Sequence, residues 1–165
     1  MDYRVQNVVS TNVYDEILPI TNANIPWERF KNKTVFITGA NGFISYYLVS
    51  ALLIRNDLYQ DNIKVIGMVR NEQKARAKFG DLMNREDLKI IVQDVCDTIA
   101  IEEPVDFVIH AASQASAYYF ENDPVGTIDA NLSGTSNVLK LALKKQAEST
   151  LFISSLKVYG EVKDG

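Results

Sequence analysis

Three short stretches of this 165-residue chain gather residue types that can do chemistry. The first is Thr38-Gly39-Ala40-Asn41-Gly42-Phe43-Ile44-Ser45. Gly39 permits a tight turn and Gly42 lets the backbone approach a pyrophosphate, whose charge would be met by free amides and the dipole of a following helix. The second is Met68-Val69-Arg70-Asn71, where a guanidinium can pair with a phosphate or stack on an adenine. The third runs from Ser154-Ser155 through Tyr159 to Lys163 and holds hydroxyl, phenol and ammonium groups. Tyr159 and Lys163 have the four-residue spacing that puts two side chains on one helical face. A phenol, with a reference pKa of about 10, acts as a base near neutrality only when neighbouring cations stabilise its anion. Gly160 and Gly165, however, oppose a helix across this spacing.

The elements that must position these residues follow from hydrophobic pattern. Lys33–Thr38 is a short β-branched apolar run, and Phe43–Arg55 places Ile44, Leu48, Ala51 and Leu52 on one helical face. Alternation continues with strands over Ile63–Val69, Leu88–Val92, Val105–His110 and Thr150–Ser154. Helices are predicted over Glu72–Phe79 and Val125–Gln146, while Asp94–Pro104 is too short for a full helical crossover. Apolar strands separated by helices predict a parallel sheet covered on both faces. The expected fold is therefore α/β, a Rossmann doubly wound parallel sheet cut short after the fifth strand. Residues 1–30 read as an N-terminal arm lying across the domain or a partner, with an amphipathic segment over Tyr14–Ile20 interrupted by Pro19. Residues 31–165 read as the dinucleotide-binding domain, without a C-terminal substrate-binding part.

With these placements, T-G-A-N-G-F-I-S resembles the T-G-x-x-G-F-I-G turn of the extended short-chain dehydrogenases/reductases, the NAD-dependent epimerase/dehydratase family. Four further segments resemble that family in order: Asp94-Val95, His110-Ala111-Ala112-Ser113, Asp123-Pro124 with Asn131, Gly134-Thr135 and Asn137, and Ser154-Ser155-Leu156-Lys157-Val158-Tyr159-Gly160. The resemblance covers about Lys33 to Gly160, and the segment Ala112–Ser116 is most similar to UDP-glucuronate decarboxylases and dehydratase relatives.

The resemblance implies transient oxidation of a nucleotide-sugar hydroxyl by bound NAD or NADP. It makes Ser155 the hydroxyl on the reacting sugar oxygen, and it assigns the cofactor to Gly39, Asn41, Gly42, Phe43, Ile44, Arg70, Asp94, Val95, Ala111, Ala112, Ser113, Asn131 and Ser154. The other reading of Ser154 and Ser155 is that they cap a strand end, and that of Asn131, which shares with Ile128 and Thr135 a helix face expected to meet the sheet, is a buried polar residue at a kink. The family's tyrosine base, with its lysine, lies downstream of its serine on the next helix, so the resemblance makes Tyr159 and Lys163 a decoy, Tyr159 being too close to Ser155 for both hydroxyls to converge on one substrate atom. These 165 residues are therefore expected to be inactive alone. Homodimer pairing through the long helix is likewise implied by resemblance.

Two departures bear on the cofactor. Ser45 replaces the third glycine, which predicts a slightly displaced helix with binding retained. Arg70 stands where an acidic residue would accept ribose hydroxyls, which leaves NADP open beside NAD.

Composition narrows the remaining classes. Seventeen basic against twenty-one acidic residues, with no Lys/Arg stripe, argue against nucleic acid. No stretch approaches the roughly 20 apolar residues of a membrane span, and no basic-then-apolar leader opens the chain. The single cysteine, Cys96, has no partner for a disulfide or a metal, which suits a cytoplasmic protein. His110 reads as a packed, hydrogen-bonded imidazole rather than an acid or base, and Tyr118, Tyr119 and Phe120 suit substrate contact or packing equally. Three functions remain: a portion of a nucleotide-sugar epimerase, dehydratase or decarboxylase, a non-catalytic dinucleotide-binding module, or an assembly subunit.

Overall fold

The computed structural model describes residues 11–160. Five strands, β1 (Thr34–Thr38), β2 (Lys64–Val69), β3 (Leu88–Val92), β4 (Phe107–His110) and β5 (Ser149–Phe152), form one all-parallel sheet in the order β3-β2-β1-β4-β5. The helices are α1 (Thr11–Thr21), α2 (Phe43–Tyr59), α3 (Glu72–Phe79), α4 (Ala117–Asn122) and α5 (Pro124–Lys145). This is a Rossmann-type α/β fold whose strand order reverses between β1 and β4. Thr38 pairs in register with Met68 on one side and His110 on the other, so three strand ends finish level at that reversal.

The two-residue period of the strands divides the core. Val35, Ile37, Val65 and Phe107 face a layer built with Val49, Leu53, Ala75 and Phe79 of α2 and α3. Phe36, Ile66, Met68 and Val108 face the other layer, filled by Val138 and Leu141 of α5 and by Val95, Ile99, Ile101 and Val105. As the spacing predicts, no helix lies between β3 and β4, and these four loop apolar residues cover the sheet there.

Four details differ from the sequence expectation. Ile44 is 53% exposed, because the first turn of α2 projects beyond the strand ends. The buried surface of α2 runs through Ser45, Tyr46, Val49 and Leu53, and widens where α1 packs on its other side. Ile128 of α5 is also exposed, while Ala130, Gly134 and Val138 face inward. β5 is exposed at all four positions rather than covered on both faces, since it is an edge strand with a partner only in β4. Finally, α4 forms with no buried residue, so it has no apolar period by which a six-residue helix could be recognised.

Of the residues read as an arm, 11–30 pack against the domain. Ile17 of α1 is fully buried against α2, and Pro19 lies inside the helix rather than ending it. Proline there only withdraws one backbone donor, while the buried Ile17 holds the helix in place. Arg55 of α2 secures the junction: it donates to the Thr21 carbonyl at 2.8 Å, pairs with Asp61 at 2.6 Å, and stacks between the Trp27 and Tyr59 rings.

α5 is tied to the sheet by a close contact and a polar clasp. A Cβ at Gly134 would come within 2.7 Å of Val95 Cγ1. One turn on, Asn137 Nδ2 donates to the carbonyls of Val95, Cys96 and Asp97 at 2.8–3.1 Å. Gly134→Val should therefore cost about 2 kcal/mol by overpacking, read as a lower urea midpoint with an unchanged m-value. A midpoint equal to the parent's would show that this contact yields freely.

Candidate functional site

A cleft opens at the level strand ends, where the strand order reverses. Gly39, Asn41 and Gly42 from the β1–α2 turn line it with Met68, Val69 and Arg70 at the end of β2. Gln93, Asp94 and Val95 close it beyond β3, Ala111, Ala112, Ser113 and Gln114 beyond β4, and Ala130 from α5.

The turn is shaped by three steric facts. Gly39 has φ +62°, and a Cβ there would sit 3.0 Å from the Ala112 nitrogen and Cα. Gly42 N–H donates to the Gly39 carbonyl at 2.8 Å, and Gly42 is an N-cap with no side-chain hydrogen bond. The first amide bonded within α2 is that of Tyr46, to Gly42 O at 2.9 Å, which leaves the amides of Phe43, Ile44 and Ser45 without intrahelical acceptors. Below the turn, Ala40 is buried against Gly67, where a Cβ would approach Ala40 Cβ to 2.9 Å. Ser45 is buried at the helix–sheet contact in place of the third glycine.

A one-way hydrogen-bond chain fixes the facing loop. Thr38 Oγ1 accepts from the amides of both Ala111 and Ala112 at 3.1 Å. Its own proton is therefore directed to His110 Nδ1, 2.7 Å away. With Nδ1 accepting, the imidazole proton sits on Nε2 and faces Thr135 Oγ1 at 3.1 Å, and Thr135 donates onward to the Asn131 carbonyl. His110 is buried, and that burial holds its pKa below the ordinary 6.5, in keeping with a neutral ring. The imidazole thus joins β1, β4 and α5 and works as a strut.

Nine of the thirteen expected cofactor residues meet in this cleft: Gly39, Asn41, Gly42, Arg70, Asp94, Val95, Ala111, Ala112 and Ser113. Phe43 and Ile44 stand beside it at the start of α2 with exposed side chains, so what they present to the turn is backbone amide. Asn131 reaches the cleft only through Ser113, whose hydroxyl donates to Asn131 Oδ1 at 3.1 Å, while Asn131 Nδ2 bonds the Thr127 carbonyl. Ser154 and Ser155 follow β5, are exposed, and lie outside the cleft lining. Tyr159 is 82% exposed at the end of a 3-10 helix spanning Leu156–Tyr159, and Gly160 beyond it has φ +70°. Lys163 and Gly165 lie outside the described residues.

Met68, Val69, Gln93, Gln114 and Ala130 also line the cleft; Met68 and Val69 flank Arg70 in the stretch singled out above and Gln114 lies within Ala112–Ser116, whereas nothing local in the sequence marks Gln93 or Ala130. Gln114 is buried and donates to Asp123 Oδ2 at 3.1 Å, which holds the loop after β4 against the start of α5. The Cys96 thiol is pushed up to about 11 by desolvation and then by the Asp94 carboxylate, so it is protonated near neutrality.

A turn that excludes side chains and a helix start with free amides, set at a strand-order reversal, define a dinucleotide-binding class of domain. Residues 35–165 match the NAD dependent epimerase/dehydratase family, and the chain belongs to that family. It is 33% identical over 127 residues to UDP-glucuronic acid decarboxylase 4 of Arabidopsis thaliana, an alignment covering 77% of this chain and 27% of that protein. It is 30% identical over 131 residues to UDP-glucose 4-epimerase of Rickettsia felis, covering 78% of this chain and 38% of that protein. Among solved structures, a dTDP-glucose 4,6-dehydratase from Streptomyces venezuelae with NAD bound superposes with a TM-score of 0.66 at 23% identity, over 80% of this chain and 42% of the other. The chain thus spans well under half the length of the relatives it matches. Among the described residues no helix is long and apolar enough to cross a membrane.

Proposed function

We propose that these 165 residues are the dinucleotide-binding portion of an enzyme that modifies a nucleotide sugar. The observation that carries this reading is the cleft itself: a side-chain-free turn at Gly39 pressed against the Ala111–Ala112 backbone, beside the uncapped start of α2. Those free amides suit a pyrophosphate, and the space that a Cβ would fill at Gly39 and Gly42 admits its close approach to the backbone. Bound NAD or NADP would supply a hydride acceptor for a sugar carbon. The chain's own residues hold and orient it, with Asp94 and Val95 on one side of the turn and Ala111 to Ser113 on the other.

Ser155, by family resemblance, is the hydroxyl for the reacting sugar oxygen. Tyr159 begins the only Tyr-x-x-x-Lys of the chain, but its 3-10 geometry ends before Gly160 and its ring stands in solvent. We therefore place the catalytic base elsewhere in the full enzyme. The outer face of α5 shows Val125, Ile128, Leu132, Leu139 and Leu143 to solvent at heptad-like spacing, which supports pairing of two copies along this helix. The exposure of Tyr159 and of this stripe favours a second reading, a non-catalytic binding or assembly module.

Titration calorimetry of the chain with NAD and NADP should show saturable binding of at least one. Nucleotide-sugar turnover by the same preparation should be undetectable. Absence of binding to either dinucleotide sinks the proposal, and turnover abolished by Tyr159→Phe would make Tyr159 the base after all.

A further inference from the structure

We infer that Asn41 is a site of spontaneous covalent modification: it deamidates through a cyclic imide formed with Gly42, the product disables the cleft, and a bound dinucleotide suppresses the reaction. The consequence for binding rests on the dinucleotide reading above.

Asparagine is thermolabile because the backbone nitrogen of the next residue can attack its side-chain amide carbon, most readily where that residue has no Cβ to shield the nitrogen. Asn41 is the one asparagine of the sequence followed by glycine. Asn56, Asn71 and Asn137 precede larger residues, and their side chains are spent on the Ile63 carbonyl, the Lys74 amide and the carbonyls of the loop after β3. Asn41 is half-buried, Gly42 is exposed, and among the described residues nothing hydrogen-bonds the Asn41 side chain. That side chain is free to turn toward the Gly42 nitrogen.

A single contact opposes the attack, the 2.8 Å bond from Gly42 N–H to the Gly39 carbonyl. The helix does not depend on it, since Tyr46 N–H takes the carbonyl of Gly42 and not its amide. Breaking one hydrogen bond at an exposed glycine is a local opening that leaves the sheet and α2 in place.

Once deprotonated, the Gly42 nitrogen bonds to Asn41 Cγ, and the side-chain nitrogen leaves as ammonia. Water then opens the imide at either carbonyl. One opening yields aspartate on the normal backbone. The other yields isoaspartate, whose main chain runs through Cβ and Cγ and is longer by a methylene. Either way one water is consumed, one ammonia is released and one negative charge is gained. The longer turn has no room to expand at Gly39, whose backbone is pressed against Ala112. The extra length is taken up at the start of α2, which moves the free amides of Phe43, Ile44 and Ser45. Losing even one charge-assisted hydrogen bond to a phosphate weakens binding roughly 10- to 100-fold. A pyrophosphate already seated on those amides holds the turn closed and keeps the Gly42 nitrogen from the attack.

The test is to age the chain at mildly alkaline pH, with and without saturating NAD or NADP, and to map tryptic peptides by mass. The peptide spanning residues 34–55 holds Asn41 and no other asparagine. It should exchange ammonia for water ahead of the peptides that hold Asn56 and Asn137, and several-fold more slowly with dinucleotide bound. Calorimetry of the isoaspartate form should show affinity lowered by about tenfold or more, and treatment with a protein isoaspartate methyltransferase should restore it. Asn41→Gln, whose longer side chain closes the ring poorly, should leave this peptide unmodified. Asn41→Asp carries the charge on a normal backbone and should bind more tightly than the isoaspartate form.

A peptide 34–55 that changes no faster than the others overturns the inference, because the bond to Gly39 would then hold the amide fast. An isoaspartate form that binds as the fresh chain does overturns it as well, and leaves the dinucleotide reading standing. A fresh chain that binds neither dinucleotide removes that reading, and the consequence for binding with it, whatever the rate at Asn41.

Discussion

Gly39→Val should abolish measurable dinucleotide binding and lower the unfolding free energy by about 3 kcal/mol. Two costs coincide at this position. Gly39 has φ +62°, a left-handed conformation that costs an L-residue roughly 1–2 kcal/mol. Any Cβ would also meet the Ala112 nitrogen and Cα at 3.0 Å and the Ala111 carbonyl carbon at 3.1 Å. That backbone cannot withdraw easily, because both amides are held by Thr38 Oγ1. The turn must shift instead, which moves the start of α2 away from the cleft. Since the Cβ itself is the offender, Gly39→Ala should already show most of the stability loss. Urea unfolding and calorimetry measure the two effects separately, and affinity within threefold of the parent in Gly39→Val would refute the account.

The second large effect concerns Thr38. Thr38→Val keeps the shape of the side chain but removes the acceptor for Ala111 and Ala112 N–H and the donor to His110 Nδ1. Each buried polar group left without a partner costs roughly 1–3 kcal/mol, so a combined loss of about 3 kcal/mol is expected once partial relaxation is allowed for. Thr38→Ser retains the hydroxyl and should lose far less. A valine variant as stable as the serine variant would mean that the hydrogen-bond chain carries little energy.

The same chain gives stability a pH dependence of defined sign. His110 has a folded pKa below its ordinary 6.5, so between those two values the unfolded state binds more protons than the folded one. Its contribution is complete above about 6.5 and declines as pH falls through 6.5 toward the folded value. Protonation would also leave Thr38 with three donors aimed at one oxygen and no acceptor for its own proton. His110→Asn should flatten the slope of stability against pH just below 6.5, whatever it does to stability at pH 8. An unchanged slope would exclude His110 as its source.

Much of the fold was legible because strands and helices differ in apolar period. α3 and β3 fall on the predicted residues, and the remaining strands shift by only one or two at their ends. The phosphate turn was legible too, since its glycines stand between a strand and a helix, and a backbone requirement leaves its mark on residue type. Ile44 and Ile128 were placed on the wrong faces for one reason. Periodicity gives a helix an apolar side, but how far that side extends depends on where the sheet ends and what packs behind, as α1 does behind α2.

By itself, then, the sequence determined an alternating α/β chain, a turn that only glycine can make, and an arginine in place of an acid after the second strand. Only the tertiary structure decided what those residues face. Thr38, His110 and Thr135 are dozens of residues apart and form one hydrogen-bond chain only because β1, β4 and α5 meet at the strand-order reversal. Arg70 likewise meets Asp94, 4.0 Å away, only because the ends of β2 and β3 lie side by side in the sheet. Local chemistry is written in residue type and spacing, whereas partners across the chain are chosen by packing.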